Sequence, residues 1–276
     1  MKTSKIIVNL LLIAGLGLFY TSCKKDSNPT PDQKETATAA DNAKAEYIYE
    51  DASTWSDRIM SGVSYKSTLV DTVYMGTCVL ATLDLSVMPY KLTIDFGAQN
   101  CLCDDGRWRR GKIIVTFNGG YFQAGTIITT TFENYFVNNN QVLGTKTVTN
   151  MGRNNNGNLW WDIAVSGQII KANSGGVVFW NSDREREWIE GEGQPWYKWV
   201  YLITGTANGT NANGKSYTVN ITAPLKVKFN CEWIVSGTLE IQVENLPLVI
   251  LDYGNGTCDN IATVTINGQT YTITLD

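Results

Sequence analysis

The stretch that decides the fold runs Asp95-Phe96-Gly97-Ala98-Gln99-Asn100-Cys101-Leu102-Cys103-Asp104-Asp105-Gly106-Arg107-Trp108-Arg109-Arg110-Gly111 and on through Lys112 to Gly119. It reads as the end of one strand, a polar loop rich in Gly and Asp, and a second strand that closes on Asn118-Gly119. A shorter version ends the chain: Asp252-Tyr253-Gly254-Asn255-Gly256-Thr257-Cys258-Asp259-Asn260, then Ile261 to Ile266 and Asn267-Gly268. In both, Asp, an aromatic residue and Gly are followed by Cys at the same offset, and then by a strand ending in Asn-Gly. This is an internal echo of one strand-loop-strand unit.

Working outward, apolar residues alternate with polar ones from Tyr65 onward. The runs Thr68–Tyr74, Cys78–Leu83, Lys91–Phe96, Gly111–Phe117 and Thr126–Val137 read as strands, and so does Val142–Thr149. Asn138-Asn139-Asn140 and Asn154-Asn155-Asn156-Gly157 are turn signals between them. Further strands are expected over Leu159–Val165, Gln168–Ala172, Val177–Trp180, Arg184–Ile189, Tyr201–Thr206, Lys215–Thr222, Ile234–Val243, Val249–Asp252, Ala262–Ile266 and Tyr271–Leu275. Roughly fifteen strands on short turns predict an antiparallel meander, since parallel strands need long crossovers. A second echo relates Gly144-Thr145 to Gly205-Thr206, each ahead of an Asn-Gly turn. The fold class is therefore all-β, forming either a sandwich or one curled sheet.

One segment departs from this period. Between Ala43 and Met60, Tyr47, Ile48, Ala52, Trp55, Ile59 and Met60 recur at helical spacing, and Gly62 ends the pattern. Residues 45–64 are expected to be a short helical segment docked on a single β-domain over residues 65–276.

The start of the chain is a targeting signal. Lys2 and Lys5 precede an apolar core from Ile6 to Tyr20, and Thr21-Ser22 precede Cys23. Residues 1–22 read as a cleaved signal peptide, and residues 23–44, polar and without large apolar side chains, as a flexible tether. The small residues before Cys23 resemble the lipobox of bacterial lipoproteins, in which the cysteine thiol is acylated. With Lys24-Lys25-Asp26 and the β-rich body, the chain resembles uncharacterised outer-membrane lipoproteins of Bacteroidetes. The resemblance implies a lipid anchor at Cys23, a membrane partner through the acyl chains, and a body held at the outer membrane, facing the periplasm or the surface. It supplies no activity.

Composition narrows the function classes. Removing the leader, with Lys2 and Lys5, leaves 20 basic residues against 26 acidic, a net charge of about −6. That argues against nucleic acid as a partner, because phosphate binding needs a basic field. The chain has no histidine, which removes the ordinary Ser-His and Cys-His catalytic arrangements, His-ligated zinc and imidazole acid–base work. Five cysteines remain besides Cys23. The echo leads to the expectation that Cys78 pairs with Cys101 or Cys103, and Cys231 with Cys258; the alternative is five small buried thiols.

Three candidate sites follow. Asp95, Asp104 and Asp105 could pair with Asp252 and Asp259 across the two loops, as the acid and base of a glycosidase-like cleft. The sequence calls for no cofactor or metal; Asp252, Asn255 and Asp259 supply oxygen atoms of the kind Ca2+ takes, but without a calcium-loop spacing. Trp180, Trp188, Trp196 and Trp199 would form a platform for sugar faces if exposed, or a core if buried. Arg107 and Arg109 read as outward residues at a strand start, paired with the neighbouring acids. The sequence names no catalytic residue. Its expectation is a non-enzymatic binding or structural module with a protein or glycan partner; the alternative is a carbohydrate-binding or carbohydrate-active protein.

Overall fold

A computed structural model describes residues 33–62, 70–75 and 77–275 of the chain. Its first element, α1 (Gln33–Gly62), is longer than the expected helix and begins inside the segment read as tether. Thr38, Ala39, Asp41, Asn42 and Ala43 are buried, so the described part of that segment is folded structure. Their side chains are short, and short side chains let neighbouring backbone approach closely. The absence of large apolar residues is thus a packing feature here, where it had suggested disorder.

Fifteen strands follow among the described residues: β1 (Val70–Met75), β2 (Val79–Asp84), β3 (Tyr90–Asp95), β4 (Cys101–Leu102), β5 (Trp108–Phe117), β6 (Ile127–Val137), β7 (Asn140–Arg153), β8 (Leu159–Ile170), β9 (Val177–Glu190), β10 (Val200–Thr210), β11 (Ser216–Lys228), β12 (Ile234–Val243), β13 (Val249–Asn255), β14 (Ile261–Ile266) and β15 (Gln269–Thr274). Every pairing is antiparallel. Fourteen strands lie in chain order in one open sheet, and β4 pairs off to the side on β5. The fold is the expected all-β meander with one helix before it.

The sheet wraps the helix. Side chains of α1 touch β5 through Arg109, β6 through Phe132, β7 through Lys146, β9 through Trp180 and the β11–β12 connection through Trp233. Strand layers therefore lie on more than one side of α1, a sandwich-like arrangement built from a single sheet. Alternation along the strands decides which side chains face inward: in β9, Val178, Trp180, Ser182, Arg184, Arg186 and Trp188 are buried.

Two glycines of the second echo have one conformation. Gly144 and Gly205 have φ of 111° and 115°, and a Cβ on either would sit 2.2 Å from a carbonyl oxygen of the adjacent strand. A side chain is excluded by both criteria. Gly167, opposite Gly144 in the register, makes room for the helix. A Cβ there would lie 2.3 Å from the ring of Tyr49, whose hydroxyl donates to the Leu143 carbonyl at 2.7 Å.

The interior is charged as well as apolar. Arg184 donates twice to Glu46, Lys146 and Arg186 both meet Glu50, Arg186 also meets Asp57 at 3.1 Å, Arg109 meets Asp51 at 2.9 Å, and Lys171 meets Asp41. The helix supplies the acids and the sheet or its adjoining turns supply the bases. Such pairs contribute little net stability over apolar packing, but losing one partner leaves a buried charge uncompensated.

Candidate functional site

One stripe of α1 is less buried than the rest. Tyr47, Asp51, Trp55 and Arg58 recur at three- and four-residue spacing and are only partly covered, which places them on one helix face. Here the sheet leaves a cleft. One wall is the β4–β5 loop, with Asp104, Asp105 and Arg107; the other is the β11–β12 connection, with Phe229, Glu232 and Trp233; Trp196 of a short 3₁₀ turn (Trp196–Lys198) closes one end. The cavity volume is about 260 Å³. A second cavity of about 110 Å³ shares Tyr47, Trp233 and Ile234 with it and runs toward the helix start at Ala40.

Two arginines organise the cleft. Arg107 lies 4.1 Å from the Tyr47 ring centre and 4.6 Å from that of Trp233, and its Nη1 donates to Glu232 at 3.2 Å and to Asp105 at 3.4 Å. It thus ties the two walls together over the helix. Arg58 lies 4.1 Å over Trp196 and 5.7 Å from Trp55. Guanidinium groups stack on aromatic faces in this way while leaving their N–H edges free.

Behind them, Arg109 is fully buried and grips Asp105 with both terminal nitrogens, at 2.7 and 2.6 Å. Burial pushes the Asp105 carboxyl up, but the Arg109 hydrogen bonds and charge outweigh it and hold it below the usual range. Asp51 keeps a raised pKa because burial dominates over Arg109. Glu232 is raised as well, by partial burial and then the Asp105 charge, against the pull of Arg107.

The residues expected to matter are distributed differently. Cys78–Cys101 and Cys231–Cys258 are disulfides, and Cys103 is a buried free thiol whose pKa burial raises. Cys231 borders the cleft, so its bond to Cys258 braces one wall with the β13–β14 loop. Cys23 lies outside the described residues.

The four tryptophans form no platform. Trp180, Trp188 and Trp199 are buried: Trp180 stacks on Tyr49, while Trp188 packs with Trp161, Trp199 and Tyr201. Only Trp196 is partly exposed, and Arg58 covers its ring. Inward alternation places Trp180 and Trp188 in the core, which corrects the glycan-contact expectation for this set.

The acids of the two loops do not converge. Asp104 and Asp105 border the cleft, whereas Asp95 pairs with Lys112 and neither Asp252 nor Asp259 borders the cleft. Asp252 accepts from the Gly254 amide, Asp259 from the Ile261 amide and Asn255 from the Thr257 hydroxyl. These oxygens form local turns, and among the described residues no three acidic or cysteine side chains group as metal ligands. Arg107 and Arg109 pair with Asp105 as expected, but both are buried where an outward position had been expected.

Asp51, Arg58, Phe229, Glu232 and Trp233 are cleft residues that the sequence did not single out, and Tyr47 and Trp55 were read only as part of an apolar helix stripe. The usable signals were the four-residue steps Asp51–Trp55 and Tyr47–Asp51, and the Glu-Trp pair directly after Cys231. Compared with known proteins, the chain matches no family model, and neither a curated protein nor a solved structure matches it.

Proposed function

We propose that this chain is a lipoprotein of the outer membrane, anchored through Cys23, whose β-body is a non-enzymatic binding module with its site in the cleft beside α1. The anchor rests on the charged start, apolar core and small residues before Cys23. Two or more acyl chains, at about 0.8 kcal/mol per buried CH2, would hold it stably.

The observation that carries the binding reading is the preformed cleft itself. Concave sites lined by aromatic rings with a few placed polar groups are the usual form of small-molecule sites. Three of its carboxylates, Asp51, Asp105 and Glu232, are engaged by arginines, an arrangement suited to holding a shape. The faces of Tyr47 and Trp196 are covered by guanidinium groups, which disfavours sugar stacking there.

Two experiments test the reading. Cys23→Ala should abolish fatty-acid labelling and release the protein from the membrane fraction; unchanged partition contradicts the anchor. A thermal-shift screen of small metabolites should give hits that disappear in Trp55→Ala and Trp233→Ala. No hits, or hits that persist in both variants, contradict the cleft as the site.

A further inference from the structure

We propose that the cleft is a carboxylate site, taking a small monoanionic carboxylate with an apolar body whose acid group lodges against Arg58, Tyr47 and Arg107. This rests on the reading of the cleft as a binding site and adds the chemical class of its ligand.

Three buried donors at the cleft have no partner among the described residues: the Tyr47 hydroxyl, Arg58 Nε and Arg107 Nη2. All three belong to side chains that line the one cavity. Buried polar atoms are ordinarily hydrogen-bonded, and leaving one unpaired is costly. Other buried atoms, such as the Tyr201 hydroxyl and Arg186 Nε, are unpaired in the core as well; what sets these three apart is that their side chains line one cavity, which would place an acceptor bound there beside them. Two of the three, Arg58 Nε and Arg107 Nη2, can only donate, and the Tyr47 hydroxyl can donate too, so one acceptor placed there would serve all three.

Charge points the same way. Among the described residues Arg58 makes no ion pair. The nearby carboxylates Asp51, Asp105 and Glu232 are each held by Arg107 or Arg109, which offsets their field at Arg58. Asp104 is exposed to water, which screens it. A stacked guanidinium presents a planar fork of N–H groups that matches a carboxylate bidentately. The second negative charge of a phosphate would meet Asp104 and Glu232, which favours a single charge. The remaining lining, with Trp55, Phe229 and Ile234, is apolar. At about 260 Å³ the cavity lies just below the common range of roughly 300–1,000 Å³ for ligand sites, so the ligand is small.

The test uses intrinsic tryptophan fluorescence, because Trp55, Trp196 and Trp233 line the cleft. The folded protein is titrated with hydrocinnamate and with its neutral amide at neutral pH and low salt. Hydrocinnamate should give saturable quenching, with the amide about tenfold to a hundredfold weaker, the range expected for a charge-assisted hydrogen bond. Arg58→Gln should weaken hydrocinnamate about tenfold and narrow the gap between the acid and its amide. Arg58→Lys, which keeps the charge and loses the fork, should fall between; it also serves if the Gln variant does not fold. Equal binding of acid and amide, or no effect of either variant, overturns the carboxylate class while leaving the cleft as a site. Saturation by neither probe overturns the proposal as well, and the metabolite screen then decides separately whether the cleft binds anything.

Discussion

Arg107 and Glu232 are 125 positions apart in the chain and 3.2 Å apart in the fold. Their contact joins the β4–β5 loop to the β11–β12 connection across the open side of the sheet. Arg107 is nearly enclosed, with 5% of its side chain exposed against 45% for Glu232, and this asymmetry sets unequal costs. Arg107→Ala loses packing between Tyr47 and Trp233 as well as the ion pairs, and should destabilise by about 3 kcal/mol. Glu232→Gln, at the wet end of the contact, should cost below about 1 kcal/mol. Urea unfolding of both variants checks this, and equal costs would contradict the asymmetry.

A second prediction concerns the pair inside the sheet. Arg184 and Glu46 are almost fully enclosed and doubly hydrogen-bonded. Glu46→Gln should destabilise by about 3–5 kcal/mol, because Arg184 is left without a counter-charge. The double change Glu46→Leu with Arg184→Met should recover most of that loss. If the double variant is less stable than Glu46→Gln, the pair is contributing net attraction beyond its desolvation cost.

The helix meets β8 closely at Gly167. Gly167→Ala places a methyl group against the Tyr49 ring and should cost about 1–3 kcal/mol through overpacking. Adding Tyr49→Leu should reduce that penalty measurably in a double-mutant cycle. Additive losses would show that the two positions do not press on one another.

Stability should depend on pH in two opposite stages. Asp57 has a raised pKa from burial, against the pull of Arg186, and Asp51 is raised too. For these groups the folded protein binds a proton more readily than the unfolded chain, so stability grows as pH falls from their raised values toward about 3.9. Burial also pushes Glu50 up, but Lys146 and Arg186 outweigh it, and its pKa is lowered. Glu50 and Asp105 contribute stability that is fully present above about 4.3 and 3.9 and is lost as pH falls through their lower folded values. Thermal unfolding followed from neutral pH downward should show a rise and then a steep fall. Asp57→Asn should reduce the rise, and a monotonic loss from neutral pH would contradict this assignment.

Much of the sheet was legible because its signals are local. Asn154-Asn155-Asn156-Gly157 turns β7 into β8 with Gly157 at φ 82°, and the Asn154 side chain accepts from the Asn156 and Asn158 amides. Asn138 and Asn139 take positive φ between β6 and β7, as asparagine does readily. The two similar loops each carry a disulfide cysteine, Cys101 and Cys258. The charged interior was not legible. In Arg184-Glu185-Arg186-Glu187 the alternation gives two faces but not which one is buried. The deciding partner of Arg184 is Glu46, 138 positions away. The cleft was obscured for the same reason: Tyr47 and Trp55 fit an apolar stripe, and only the gap in the sheet turns them toward an opening.

The most direct test of the account is a crystal structure of the protein grown with hydrocinnamate. The account predicts the carboxylate at hydrogen-bonding distance, about 2.7–2.9 Å, from the Arg58 guanidinium, with the phenyl ring between Trp55 and the Phe229–Ile234 wall. An empty cleft, or a ligand seated with its carboxylate away from Arg58 and Tyr47, would contradict it.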